Sequence, residues 1–305
     1  MTLATGYSIP QEDPPRSPRE TLPTMYDLPS EFPEEPGLPD VFHDLQPQLL
    51  SRTLRLTDYS QDNYFTASDL NLYYDVHHPL WHKRPDWFLA VGVPFLYDGH
   101  DLRRSYVVWQ EGQAPDLVIE FLSPRTERED LGRFFEERDW ISENTRNLEL
   151  EPNSEERAVR PDELTLPPSK LTVYETYLRV PHYIVYSRYT QRLRYFKLVG
   201  SQYQEQPVGN TAPMIWLTDL NLGLGIWLGT FEHTQGHWLR WCDEAGQWFL
   251  TDTEQERLAK EQERLAKEQE RLAKEQERLA KEQERQRAEK LAAKLRELGM
   301  NPDDV

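Results

Sequence analysis

PDLVIEFLSP, residues 115–124, is the stretch whose reading decides the fold. Leu117, Val118, Ile119, Phe121 and Leu122 form a dense apolar run closed by Ser-Pro, the pattern of a central strand buried on both faces. Glu120 sits inside it. Strand alternation puts Glu120 on the same face as Val118 and Leu122, where a carboxylate is costly to bury unpaired. A partner is therefore required.

Working outward, RPDWFLAVGVP (84–94) and RRSYVVWQ (103–110) read as strands separated by the turn-forming YDGHDL. HYIVYSRY (182–189) and RLRYFKLVG (192–200) read as a hairpin around Thr190-Gln191. KLTVYETYLRVP (170–181) has helical spacing, with Leu171, Tyr174 and Leu178 on one face. A short helix with Pro47 near its first turn carries Leu49, Leu50 and Leu54 on one side. NLYYDV is a further strand candidate, as are MIWL, GIWLGTF, HWLRW and QWFL, the last two joined by Asp243-Glu244-Ala245-Gly246. The expected fold is α/β. A central mixed sheet contains 84–94, 103–110, 115–122 and 182–189, is flanked by helices near 47–55 and 170–179, and is followed by a β-rich extension and a long charged C-terminal helix.

The flanks differ in kind. Residues 1–40 hold nine Pro and little apolar periodicity, and read as an extended, disordered arm. Residues 41–250 make the folded domain, with an acidic excursion at 133–169. Residues 254–298 read as a heptad-repeat helix: from 256 onward the motif ERLAKEQ repeats at a seven-residue period, with Leu258, Leu265, Leu272 and Leu279 on one stripe. With Leu at d, Gln262, Gln269 and Gln276 fall at a, which weakens a coiled-coil seam. Glu256 and Lys260, or Glu263 and Lys267, are spaced to support a solitary helix. A homodimer through this element and a solvated single helix both stand.

The net charge of −18 lies partly in the arm and the excursion, while the repeat is nearly neutral. Such a surface is poor for standing affinity to phosphate backbones. An enzyme that recruits cations to a local acidic site is less affected. The single Cys242 rules out an internal disulfide and a cysteine zinc cluster, as suits a reducing cytoplasm. No eighteen-residue apolar run predicts a membrane span, and the N-terminal residues lack a secretory apolar core.

Phosphodiester hydrolysis needs a divalent cation to polarise phosphate and activate water. Hard cations take oxygen ligands, typically one or two carboxylates with water and phosphate. Asp86 and Glu120, at the ends of neighbouring strands, would supply them. The bland readings are that Asp86 merely caps a strand start and that Asp116 does the same, which is preferred for Asp116. His77, His78 and His82 beside Trp81 lack metal spacing and read as a loop, and Gly223-x-Gly225 lacks the following helix of a dinucleotide site.

PDLVIEFLSPRTERED (115–130) resembles the signature of the restriction endonuclease family called Uma-two, in the PD-(D/E)XK nuclease superfamily. Its members read Pro-Asp-Leu-Val-x-Glu-x-Leu-Ser-Pro-Ser-Thr and then Asp, followed by a helix starting with Lys, a Tyr and a Val-Pro-x-Tyr strand. Asp86 matches the first acidic position and Glu120 the acid of the (D/E)-x-K element, while Leu122 stands where the superfamily lysine would be. The resemblance implies that this lysine has moved to the following helix. DLGRFFEERDW (130–140) offers Phe134 there, whereas KLTVYETYLRVPHYIVYSR (170–188) restores the pattern, making Lys170 the migrated lysine and Arg133 its rival.

What the resemblance implies is a restriction-endonuclease-like fold with catalytic Asp86, Glu120 and Lys170. Asp86 and Glu120 would hold Mg²⁺ or Mn²⁺ and the substrate would be nucleic acid, DNA foremost. His43 lies where the family often has a His, without an assigned role. The competing reading is a non-catalytic protein-interaction module on a nuclease fold, favoured by the acidic charge and the displaced lysine.

Overall fold

The computed structural model of the chain describes residues 40–123, 126–135 and 166–297. The sequence-predicted arm (apart from Asp40) and most of the acidic excursion lie outside the described residues. Two compact units divide at Phe249 and Leu250. Helix α1 (Val41–Thr53) begins six residues before the expected start, because Asp40 accepts hydrogen bonds from Phe42 N at 2.9 Å and His43 N at 3.1 Å. These contacts satisfy amides that the first turn otherwise leaves open. Pro47 consequently sits inside the helix, where it forfeits one backbone hydrogen bond.

Four short or medium strands follow: β1 (Tyr64–Ala67), β2 (Leu72–Tyr73), β3 (His82–Lys83) and β4 (Trp87–Val91). Then come β5 (Tyr106–Val107), the helical turn α2 (Val108–Glu111), β6 (Leu117–Phe121) and α3 (Glu127–Leu131). After the excursion, α4 (Lys170–Thr172) runs directly into a π-helical turn at Val173–Tyr177. The remaining strands are β7 (His182–Ser187), β8 (Arg192–Val199), β9 (Gln202–Gln206), β10 (Ile215–Leu217), β11 (Leu222–Phe231) and β12 (Thr234–Cys242).

The main sheet has the order β1-β4-β6-β7-β8-β9. Only the β6–β7 pairing is parallel, so the sheet is mixed. Every residue of β6 is buried, as a central strand requires. On one face Trp87, Leu89, Ile119, Phe121 and Ile184 pack with Leu49 and Leu50 of α1 and with Leu224 and Trp241 of a second sheet, β10-β11-β12. Gln46 ties α1 to that sheet through both groups of Leu239, at 2.9 and 2.8 Å. On the other face Phe88, Val118, Leu122 and Val185 pack with Leu171, Val173 and Tyr174.

One expected strand is corrected. Residues 103–110 do not join the main sheet: only Tyr106 and Val107 are extended, and they pair with β2 in a small sheet of order β3-β2-β5. Arg103 holds Glu111 through two contacts of 2.8 and 3.0 Å. Gly112, at φ 73°, then closes the turn in a left-handed conformation that suits glycine. The apolar run was real, but this local clamp coils its second half. The strand at 84–94 is shorter than expected, and β1 at the sheet edge was not anticipated.

The second unit contains helix α5 (Asp252–Glu297), 46 residues long. Thr251 and Glu254 form a reciprocal capping box at its start, with Thr251 N donating to Glu254 Oε2 at 2.8 Å. Glu263–Lys267, Glu270–Lys274 and Glu277–Lys281 pair along its surface. Among the described residues no helix is long and apolar enough to cross a membrane.

Asp40 also meets His43 Nδ1 at 3.0 Å and Arg188 at 2.5 Å. Asp40→Ala is therefore expected to lower the unfolding free energy by about 1–2 kcal/mol, the upper part of the range for a lost N-cap. Asp44→Ala, one turn on, should change it little. Equal urea midpoints for wild type and Asp40→Ala would disprove the capping role.

Candidate active site

Strand β6 carries Glu120 into the layer between the main sheet and α4. Asp86 lies one residue beyond the last β4–β6 pair, Trp87 opposite Ile119, which brings it beside Glu120. The two acids are laced together through the backbone. Asp86 N donates to Glu120 Oε2 at 3.2 Å, and Phe121 N donates to Asp86 Oδ2 at 2.5 Å.

The partner that Glu120 needs arrives from α4. Lys170 Nζ donates to Glu120 Oε2 at 2.9 Å and lies 3.3 Å from Asp130 Oδ1. Ser169 caps this helix start, where a cation is mildly disfavoured by the helix dipole, and the carboxylates outweigh that effect. The approach of α3 to α4 depends on Gly132: a Cβ there would stand 2.7 Å from Leu171 Cδ2. The π-helical turn then brings the Tyr174 hydroxyl to Glu120 Oε1, at 2.6 Å. Such turns are frequent at functional sites.

Arg133 is directed elsewhere. Its guanidinium grips Glu175 at 2.8 and 2.5 Å, and Glu175 also accepts from Tyr203 N, so this pair braces the π turn against β9. Asp116 accepts from Val91 N at 2.8 Å, the strand-start role preferred for it. His78 meets Asp75 at 2.7 Å in an exposed loop.

Two participants had no role assigned from the sequence. Asp130 is 1% exposed, its Oδ1 finds no aligned hydrogen-bond partner, and its backbone carbonyl accepts from Tyr183. Its place as the Asp that follows the Ser-Pro segment in the family signature was the available signal. His43 contacts Phe121 O through Nε2 at 3.2 Å and Asp40 through Nδ1. Both neighbours are acceptors, so the doubly protonated ring satisfies them best. Burial opposes that charge, yet the Asp40 hydrogen bond and the Asp86 charge raise the His43 pKa.

Three carboxylates thus face one ammonium. Burial pushes Glu120 up to about 8 and Asp130 to about 7 against the pull of Lys170, and raises Asp86 as well. Burial also disfavours the Lys170 charge, but Asp130, Glu120 and Asp86 together hold its pKa well above the usual lysine range. Three acids against one base, with Asp130 Oδ1 left without an aligned hydrogen bond, fit a hard divalent cation that would displace their protons. Among the described residues no three His, Cys, Asp or Glu side chains form a ready-made metal cage. The fit is thus to an ion that keeps water and substrate oxygens among its ligands, as Mg²⁺ does.

A family model named Uma2, described as "Putative restriction endonuclease", matches residues 20–229. The chain belongs to the Uma2 family. No curated protein matches it. The match ends within β11. It takes in the main sheet, whose mixed α/β architecture is consistent with a restriction-endonuclease-like fold. Helix α5 lies beyond the matched residues.

The carboxyls of Glu120 and Asp130 titrate higher here than the ordinary values of 4.5 and 3.8 that hold in an unfolded chain. Their contribution to stability is intact below those unfolded values and is lost as the pH rises through the folded ones. The metal-free Uma2 protein should therefore show a urea midpoint that falls between about pH 5 and about pH 8. Glu120→Gln should flatten that fall. A midpoint that rises across this range would contradict the assignment.

Proposed function

We propose that this chain is a divalent-metal-dependent endonuclease that hydrolyses phosphodiester bonds in nucleic acid, DNA foremost. The observation that carries the reading is the meeting of Lys170 with Glu120 and Asp130, beside Asp86, in a chain of the Uma2 family. Asp86 and Glu120 would hold Mg²⁺ or Mn²⁺, with the Asp130 oxygen available as a further ligand. When bound, the cation would polarise the phosphate and lower the pKa of the attacking water.

The chain's own residues account for the rest. Lys170 stays protonated, so it acts as a donor: it orients the water oxygen and offsets negative charge growing on the phosphate as one backbone P–O bond gives way to the bond from water. Its ammonium suits that task better than a planar guanidinium. Tyr174 fixes Glu120 Oε1, leaving Oε2 toward Lys170. His43 and Asp86 hold the two ends of Phe121, which keeps the turn after Glu120 from shifting.

The net charge of −18 favours the second reading, a non-catalytic interaction module on the same fold. A cleavage assay on plasmid and oligonucleotide DNA decides between them. Wild type should cut in Mg²⁺ or Mn²⁺ and not in EDTA, Glu120→Ala should be inactive, and Lys170→Met should lose about a hundredfold or more. Cutting that survives Glu120→Ala would overturn the site, and a wild type inert with every metal and substrate would leave the module.

We also propose that α5 pairs two copies of the chain. Leu258, Leu265, Leu272 and Leu279 are each about half exposed and form an unbroken stripe. Deleting 254–305 should convert a dimer of the full chain into a monomer of the shortened one in sedimentation equilibrium. An unchanged oligomeric state removes the homodimer through this helix and leaves a solitary, charge-stabilised one.

A further inference from the structure

Any affinity for nucleic acid in so acidic a protein must be local, because backbone binding rests on neutralising phosphates. Residues 76–84, VHHPLWHKR, contain no acid and interleave aromatic with basic side chains. The acid just before them, Asp75, is engaged by His78 at 2.7 Å and by His77 N at 2.9 Å. Within this loop the His78 ring lies flat on Trp81, with centroids 3.8 Å apart and planes 9° apart. His78 remains about half exposed, Arg84 is exposed, and Leu80 and Val76 are 83% and 59% exposed.

The loop is anchored to the candidate site at one end. Lys83 reaches from β3 to Glu129 at 2.6 Å, beside Asp130. Arg84 is held by Asn71 at 3.1 Å and precedes Asp86 by two residues. From this we infer that the 76–84 loop is a stacking platform for an unpaired nucleobase, which delivers a single strand of nucleic acid to the acidic site. The outer face of His78 takes the base, and Arg84 meets the adjoining phosphate. Stacking on a ring is tolerant of sequence, and one cation near the scissile bond suffices where the rest of the surface repels.

This inference rests on the nuclease reading, and the test separates the two. Full-length wild type, His78→Ala/Arg84→Ala and His78→Phe are titrated by fluorescence anisotropy, in Ca²⁺, against a labelled single strand of about 15 nucleotides and against its blunt duplex. The double variant should lose about tenfold or more in affinity for the single strand, much less for the duplex, with unchanged Tm. His78→Phe keeps a ring on Trp81 and should retain single-strand affinity. The salt slope should fall by about 0.7 when Arg84 is removed. Undiminished single-strand binding by the double variant, or an equal loss for duplex, overturns the platform while leaving the nuclease intact. A wild type that neither binds nor cuts any nucleic acid removes both.

Discussion

The contact between Lys170 and Glu120 is the constraint around which the other elements are arranged. Glu120 lies in a strand with no exposed residue, so in the metal-free protein its carboxyl depends on protein partners. Replacing Lys170 would leave three buried acids without their cation, and removing one partner of a buried ion pair commonly costs about 3–5 kcal/mol. The surroundings follow from it. Ser169 caps the helix that begins at Lys170, and at Gly132 a Cβ would press on Leu171 where α3 approaches α4. An ion pair alone is weak support for stability, and three acids against one base make this one worse. A protein would keep such a cluster for what it does.

Support for the cluster comes from both sides of the sheet. Behind it, Arg133 and Glu175 brace the π-helical turn that presents Tyr174. Before it, α1 sets His43 on the carbonyl of Phe121, and Asp40 both caps that helix and holds the His43 ring. The Phe121 peptide is thereby fixed at its N–H by Asp86 and at its C=O by His43. Precise placement of reacting groups depends on supporting contacts of this kind.

The distribution of charge reconciles an acidic protein with an anionic substrate. The proposed chemistry requires negative charge at one point, where a cation is recruited, and positive or aromatic character next to it. The 76–84 loop, free of acids and joined to the site through Lys83, has that character. Elsewhere the acidic surface would disfavour idle association with phosphate backbones, which suits an enzyme whose substrate is held only where it is cut.

Local pattern determined a good deal. The apolar run at 117–122 and its closing Ser-Pro announce a central strand, and the carboxylate inside it announces a partner. Exact seven-residue recurrence announces the C-terminal helix. Matching Lys, Tyr and Val-Pro-x-Tyr marked where a displaced lysine would sit. Periodicity reports which face of an element is buried, because burial repeats with the geometry of that element. It does not report what lies opposite. Glu120 meets Lys170 and Tyr174 across 50 and 54 residues of chain, and whether they could meet was invisible until α4 packed on the sheet. Asp130 stood only as the last residue of a family-like stretch, His43 lacked a role without the Phe121 carbonyl above it, and the strand expected at 103–110 was coiled by an Arg103–Glu111 pair. The first two were decided by long-range contacts, whose formation depends on the packing of whole layers rather than on the preferences of any one segment; the third was decided by a local ion pair that periodicity does not report.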